Sequence, residues 1–214
     1  RQFEQERNQS VLLVVDTGRA MLAEVEGVRK LDHTLDALLL LAHAAARAGD
    51  GVGLLAFDDR VRHYLPPRKG KSQTGAVLAA CHDLRAELAE SDPLAAFAYL
   101  ESRWKRRSLV VVFSDVDDDV RAQELAAALA PLRRRHLVMV VRVEDPEVGR
   151  VRRSEPTDLP ALRRRAALSM LDEERRAADR YLAAAGVRTL EAAPDRLAAA
   201  LVGAYLKVKE RGEL

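Results

Sequence analysis

Two aspartates carry most of the chemistry that this sequence can offer. Asp16 follows the run Val11–Val15, and Asp115 follows Leu109–Phe113 and Ser114. Each run of aliphatic, largely β-branched residues reads as a strand buried on both faces inside a parallel sheet. An aspartate directly after such a strand stands at its carboxyl end, where open α/β sheets place their sites. If the two strands are neighbours where the strand order reverses, both carboxylates face one crevice. Ser91-Asp92, shortly before the second run, starts a helix and brings a hydroxyl and a further carboxylate to the same edge. Oxygen donors of this kind suit a hard cation such as Mg²⁺, so Asp16, Ser91, Asp92 and Asp115 are the candidate metal ligands. The plainer reading is that they cap loops and helix N-termini. Thr17, Gly18, Arg19 and Ala20 after the first strand, with Asp117 and Asp118 after the second, would form a partner-binding edge. The Asp117–Asp119 run would attract a cation or a basic surface, or else oppose the macrodipole of the helix that follows.

Other chemistries fit less well. An aspartyl nucleophile of the haloacid-dehalogenase-like kind needs a second aspartate two residues on, where Gly18 stands. Ser114-Asp115 is no nucleophile elbow, because no G-x-S-x-G is present. Gly49-Asp50-Gly51-Val52-Gly53 enters a strand and not a helix, so it is not a phosphate loop. His33 and His43 lie ten residues apart on one helix, a step that suits no zinc-ligand pair. The arginine runs at 133–135 and 163–165 read as solvated helix faces, and without interleaved aromatics they make no nucleic-acid surface.

The elements that must position these residues follow from periodicity. Strands are predicted at 11–16, 52–57, 61–65, 109–114, 136–143 and 186–191. Helices are predicted at 29–48, 73–88, 93–105, 120–134, 159–185 and 194–209. The first helix rests on Leu31, Leu35, Leu38, Leu39, Ala42 and Ala46, and Gly49 stops it. The second presents Val77, Leu78, Cys81, Leu84 and Leu88 on one face. Asp58-Asp59 is a turn that makes the third strand antiparallel and places it at the sheet's edge, and Pro66-Pro67 ends it. Residues 1–10 lead into the first strand, the segment between Gly18 and Gly27 is a loop, and 144–158 is an irregular connection. The alternation predicts one α/β domain over 1–214: a doubly wound, mostly parallel six-stranded sheet with one antiparallel edge strand and helices on both faces. Residues 159–214 complete it as helix, strand and helix.

Composition agrees with this. The 214 residues are 48% hydrophobic, enough for one sizeable core. The formal charge of +2, from 35 basic and 33 acidic side chains, makes no global field toward nucleic acid or an anionic membrane. Cys81 alone forms no internal disulfide, fits a reducing compartment, and lies on the apolar face of its helix. No stretch approaches the roughly 20 apolar residues that span a bilayer, and no signal peptide is visible. The first residue is Arg1 and not Met, so the sequence reads as a fragment with room for a membrane anchor ahead of it.

Taken in order, Asp16-x-Gly18-x-Ala20, Gly49 to Phe57, Leu65-Pro66-Pro67, Ser91-Asp92 and Val112 to Asp115 resemble a von Willebrand factor A domain over roughly residues 11–143. The lead-in at 4–9, the Lys30-Leu31-Asp32-His33 helix start and the segment Ala56–Val61 are similar to the bacterial family called domain of unknown function fifty-eight. That resemblance implies a C-terminal domain behind a membrane-anchored part, with a MoxR-type AAA+ ATPase as partner. It also implies a metal-ion-dependent adhesion site, Asp-x-Ser-x-Ser with a later Thr and a later Asp. Asp16 and Asp115 match the aspartates, and Ser91 takes the threonine position, with Asp92 beside it or Thr74 as alternatives. Gly18 and Ala20 stand at the two serines and bring no side-chain oxygen. The expected site is degenerate, holding Mg²⁺ weakly or not at all. The expected function is a non-enzymatic interaction or adaptor module working with such an ATPase on the cytoplasmic side. The alternative, from another class, is a metal-dependent hydrolase or phosphotransferase using Asp16 and Asp115.

Overall fold

The computed structural model describes residues 9–116 and 118–214. Strand β1 (Ser10–Asp16) has no exposed residue. Removing each large aliphatic side chain from water stabilises the fold by roughly 1.5–3 kcal/mol, and a strand buried throughout belongs between two helical layers. Strand alternation sends Val11, Leu13 and Val15 to one face and Leu12 and Val14 to the other.

On the first face lie α1 (Lys30–Arg47), α2 (Lys71–Asp83) and α7 (Pro194–Glu210), contributing Leu38, Leu41, Val77, Leu197 and Tyr205. On the second lie α3 (Pro93–Arg103), α4 (Asp119–Arg133) and α6 (Leu159–Ala184), contributing Phe97, Leu100, Leu129 and Leu182. The remaining strands of the sheet are β4 (Gly51–Phe57), β5 (Val61–Arg68), β6 (Leu109–Phe113), β7 (Leu137–Val143) and β8 (Arg188–Ala192). The sheet order is β5-β4-β1-β6-β7-β8, and only β5 is antiparallel to its neighbour. This is the doubly wound, mostly parallel α/β sheet that the alternation predicts. Among the described residues no helix is long and apolar enough to cross a membrane.

Four stretches differ from the sequence reading by more than a residue or two, the first two because of distant partners and the other two through local turns and caps. The helix predicted over 73–88 stops at Asp83, and Leu84 is extended at φ −69° and ψ 137°. The next residues instead hydrogen-bond to the loop after β1: the Glu87 N–H donates to the Thr17 carbonyl at 2.8 Å, and the Arg19 N–H to the Ala89 carbonyl at 2.9 Å. Leu88, assigned to the apolar face, is 91% exposed. Strand β5 runs through Pro66-Pro67 to Arg68 with an irregular register, which an edge strand tolerates. Gly53 makes the room, since a Cβ there would lie 2.8 Å from the Pro67 ring.

The segment read as a loop between Gly18 and Gly27 holds a 3₁₀ turn (Arg19–Leu22) and the first strand of a small hairpin, β2 (Glu24–Val25), which pairs with β3 (Val28–Arg29) just beyond it. Its turn has positive φ at both Glu26 and Gly27, the primed geometry that suits strand twist. The connection read as irregular holds α5 (Pro146–Arg153), capped by the Asp145 carboxylate accepting from the Glu147 N–H at 2.8 Å. Residues 1–8 of the predicted lead-in, and Asp117, lie outside the described residues. Gln9 is buried and donates its N–H to Asp50 at 3.1 Å.

Candidate functional site

Strands β1 and β6 end side by side, with Val15 opposite Phe113. Asp16 and Ser114-Asp115 therefore leave the sheet together at the point where the chain turns to opposite sides. Asp16, Ser91, Ser114 and Asp115 line one cleft of about 90 Å³. That is room for a few waters or a side-chain tip, well short of the roughly 300 Å³ of small drug-sized ligand sites.

The floor of the cleft is saturated from within. Asp16 Oδ1 accepts from the Gly18 N–H at 2.8 Å and the Ser91 hydroxyl at 2.5 Å, and Oδ2 accepts from the Ser114 hydroxyl at 2.8 Å. Burial pushes the Asp16 carboxyl above its ordinary value. Hydrogen bonds from Ser91, Gly18 and Ser114 pull it back in part, and the nearby Asp58 carboxylate adds repulsion. Gly18 has φ −78°, open to any residue, so space and not conformation requires glycine. A Cβ there would lie 2.1 Å from Ser91 Oγ and 2.9 Å from the Ala89 carbonyl oxygen.

Asp115 is held differently. Its Oδ2 accepts from the Lys30 ammonium, and both side chains are buried. Its Oδ1 makes no hydrogen bond and lies 3.9 Å from Arg175 Nη2. Arg175 also faces Glu191 at 3.5 Å. Arg142, buried beside them, donates to the Val116 carbonyl at 2.8 Å, to Asp179 at 2.6 Å and to Glu191 at 3.1 Å. A band of paired charges thus runs behind the cleft toward α6.

The structure brings together Asp16, Ser91 and Asp115 but not Asp92. The Asp92 carboxylate is turned onto the Ala95 N–H at 2.9 Å and caps α3. Of the predicted edge, Ala20 and Arg19 line the cleft. Thr17 is buried, its hydroxyl donating to the Phe57 carbonyl at 3.0 Å. Asp118 caps α4 by accepting from the Arg121 N–H at 2.8 Å. The rim is an ion-pair bridge: Glu90 meets Arg19 Nε at 2.6 Å and Arg121 Nη2 at 3.2 Å.

Sequence reasoning missed Lys30, Asp58, Glu90, Ser114 and Arg121 as parts of this edge. Ser114 could have been found from its place beside Asp115. Asp58, read as a turn residue, directly follows β4, the strand beside that of Asp16, is fully buried and accepts from Arg62 Nε at 2.5 Å. Among the described residues no group of three or more His, Cys, Asp or Glu side chains is arranged to hold a metal.

The strand order, the lone antiparallel edge strand and the cleft at the switch point define a von Willebrand A-type domain. Solved structures support that fold at low identity. The SpRpn10 VWA domain is 13% identical with a TM-score of 0.54, over 91% of this chain and 93% of that one. The conserved hypothetical protein BatB from Bacteroides thetaiotaomicron is 14% identical with a TM-score of 0.62, over 96% and 100%. An aerotolerance-related membrane protein from Bacteroides fragilis is 13% identical with a TM-score of 0.60, over 94% and 99%. No curated protein matches the sequence. The family described as "Protein of unknown function DUF58" matches residues 1–178, and the chain belongs to that family.

Proposed function

We propose that the domain is a non-enzymatic interaction module whose protein partner docks on the rim of this cleft. The supporting observation is the contrast between floor and rim. The floor hydroxyls and the Asp16 carboxylate are committed to one another, with no histidine beside them to act as a base. The rim carries the exposed Arg19 and the half-buried Arg121, both held by the exposed Glu90, with Arg121 also 3.4 Å from the Asp118 carboxylate. Exposed pairs of this kind are worth about 0–1 kcal/mol each, so a partner carboxylate can take over either arginine at little cost.

The residues present fit Mg²⁺ poorly. Gly18 and Ala20 bring no side-chain oxygen, Asp92 caps a helix, and Asp115 faces cations already. Docking is therefore proposed to run through side chains alone. The family resemblance makes a MoxR-type AAA+ ATPase, or its client, the partner to try, with the domain acting as an adaptor on the cytoplasmic side.

The test is the dissociation constant between the purified domain and such an ATPase, read by interferometry for wild type and for R19E/R121E. Reversing both charges is expected to weaken binding at least about tenfold, or 1.4 kcal/mol. Binding that ignores the double reversal would remove the rim as the interface. Metal-stimulated phosphatase turnover by the isolated domain would overturn the non-enzymatic reading.

A further inference from the structure

We propose that Lys30 is a built-in cation, taking at Asp115 the place that a divalent ion would hold in an adhesion-type site. This concerns the edge that the proposed function uses and rests on the same assignment of it as the working face. It needs no partner to be tested.

The placement of Lys30 is hard to explain otherwise. It is the first residue of α1, behind an N-cap, Arg29, that offers no side-chain cap bond. The start of a helix carries partial positive charge and disfavours a lysine. Lys30 is also buried at 6% exposure, which strips water from an ammonium group. Both penalties and the lost side-chain freedom are accepted at one position. The compensation on view is the Asp115 carboxylate, 85 residues away and equally buried. A lysine set there by helix preference or by packing would point its ammonium to solvent.

Asp115 answers the same logic from its side. One oxygen takes the Lys30 ammonium and the other faces Arg175 at 3.9 Å. A divalent cation approaching this carboxylate would meet two fixed positive charges within a few ångströms, and the repulsion adds to the dehydration that Mg²⁺ resists. The second half of an adhesion site is closed by shape. A serine at position 18 would place its Cβ 2.1 Å from Ser91 Oγ, so the missing hydroxyl ligand cannot return unless Ser91 moves. Lys30 at Asp115 and Ser91 beside Gly18 together hold the edge in one shape without an ion. Docking there is consequently indifferent to Mg²⁺ and to chelators.

Calorimetric titration of Mg²⁺ and Mn²⁺ into the wild-type chain, with thermal melts in EDTA and in excess Mg²⁺, gives the first readout. No binding heat and no shift in melting temperature are expected. The second readout is a double-mutant cycle. K30M should lower the melting temperature by roughly 5–15 °C, because it leaves a buried carboxylate unpaired. K30M/D115N should melt above K30M, since the orphan charge is gone. Should K30M not fold, recovery of a folded chain in K30M/D115N carries the same information. Wild-type metal binding that D115N abolishes would overturn the proposal, as would a double variant no more stable than K30M. The failures are separable. Metal binding by the wild type leaves rim docking open, and loss of rim docking leaves the Lys30–Asp115 coupling intact.

Discussion

Asp16 is surrounded by neutral donors, which sets it apart from Asp58 and Asp115, each held by a cation. Burial raises its pKa above the ordinary 3.8, and Asp58 adds to the rise. The folded state therefore favours the protonated form. The corresponding stability is fully present below 3.8 and is lost as pH rises through the folded value. Asp58 runs the other way. Burial resists its charge, but hydrogen bonds from Arg62 and the Arg60 backbone outweigh this and hold its carboxyl below 3.8. Its contribution is present above 3.8 and is lost as pH falls through the folded value. An Asn at position 16 does not titrate, so D16N should gain stability relative to wild type as pH rises from about 4 to 7. Urea midpoints of both proteins at the two ends of that range check this, and a constant difference between them would refute it. Asp16 and Asp115 were legible in the sequence because each closes an apolar run, Asp16 directly and Asp115 after Ser114. Lys30 was not, because its partner is 85 residues away and the rules for helix starts argue against a lysine there.

At the scale of elements, one device recurs: an aspartate just before a helix accepts a backbone N–H of the first turn. Asp92, Asp118, Asp145 and Asp158 all do so. Asp92 is thus a cap that happens to stand beside the cleft. D92A should lower the unfolding free energy by about 1 kcal/mol and leave the partner's dissociation constant unchanged. A stable D92A with weakened binding would return Asp92 to the site. The same signal precedes α5, where Asp145-Pro146 marks a helix as clearly as Asp92-Pro93 does, so that helix was within reach of sequence reasoning. The end of α2 was not. The apolar spacing continues to Leu88, but the Glu87 N–H and the Ala89 carbonyl are claimed by the loop after β1. Nor was the passage of β5 through Pro66-Pro67, which depends on the absence of a side chain at Gly53 on the neighbouring strand. Buried strands announce themselves through their own residues, whereas these boundaries are set by partners distant in the sequence.

The whole molecule is tied together at a point far from the cleft. Asp50, just before β4, accepts from the Tyr205 hydroxyl at 2.5 Å and from the Lys209 ammonium at 3.0 Å, both on α7. The last helix is thereby fastened to the start of a central strand, beside α1. Cys81 reports on this arrangement. It is the single cysteine, 3% exposed on α2, and burial pushes its thiol up to about 11. The thiolate is the reactive form, so at neutral pH Cys81 is both covered and protonated and reacts only when the fold opens. If α2 opens only with the rest of the sheet, the free energy from the labelling rate with an aromatic disulfide reagent should equal that from urea unfolding. Y205F then discriminates. Removing the hydroxyl leaves Asp50 short of a donor and should cost about 1–3 kcal/mol, which speeds labelling by roughly 5- to 150-fold. Were α2 to open by itself, labelling would outrun global unfolding and Y205F on the distant helix would leave the rate unchanged.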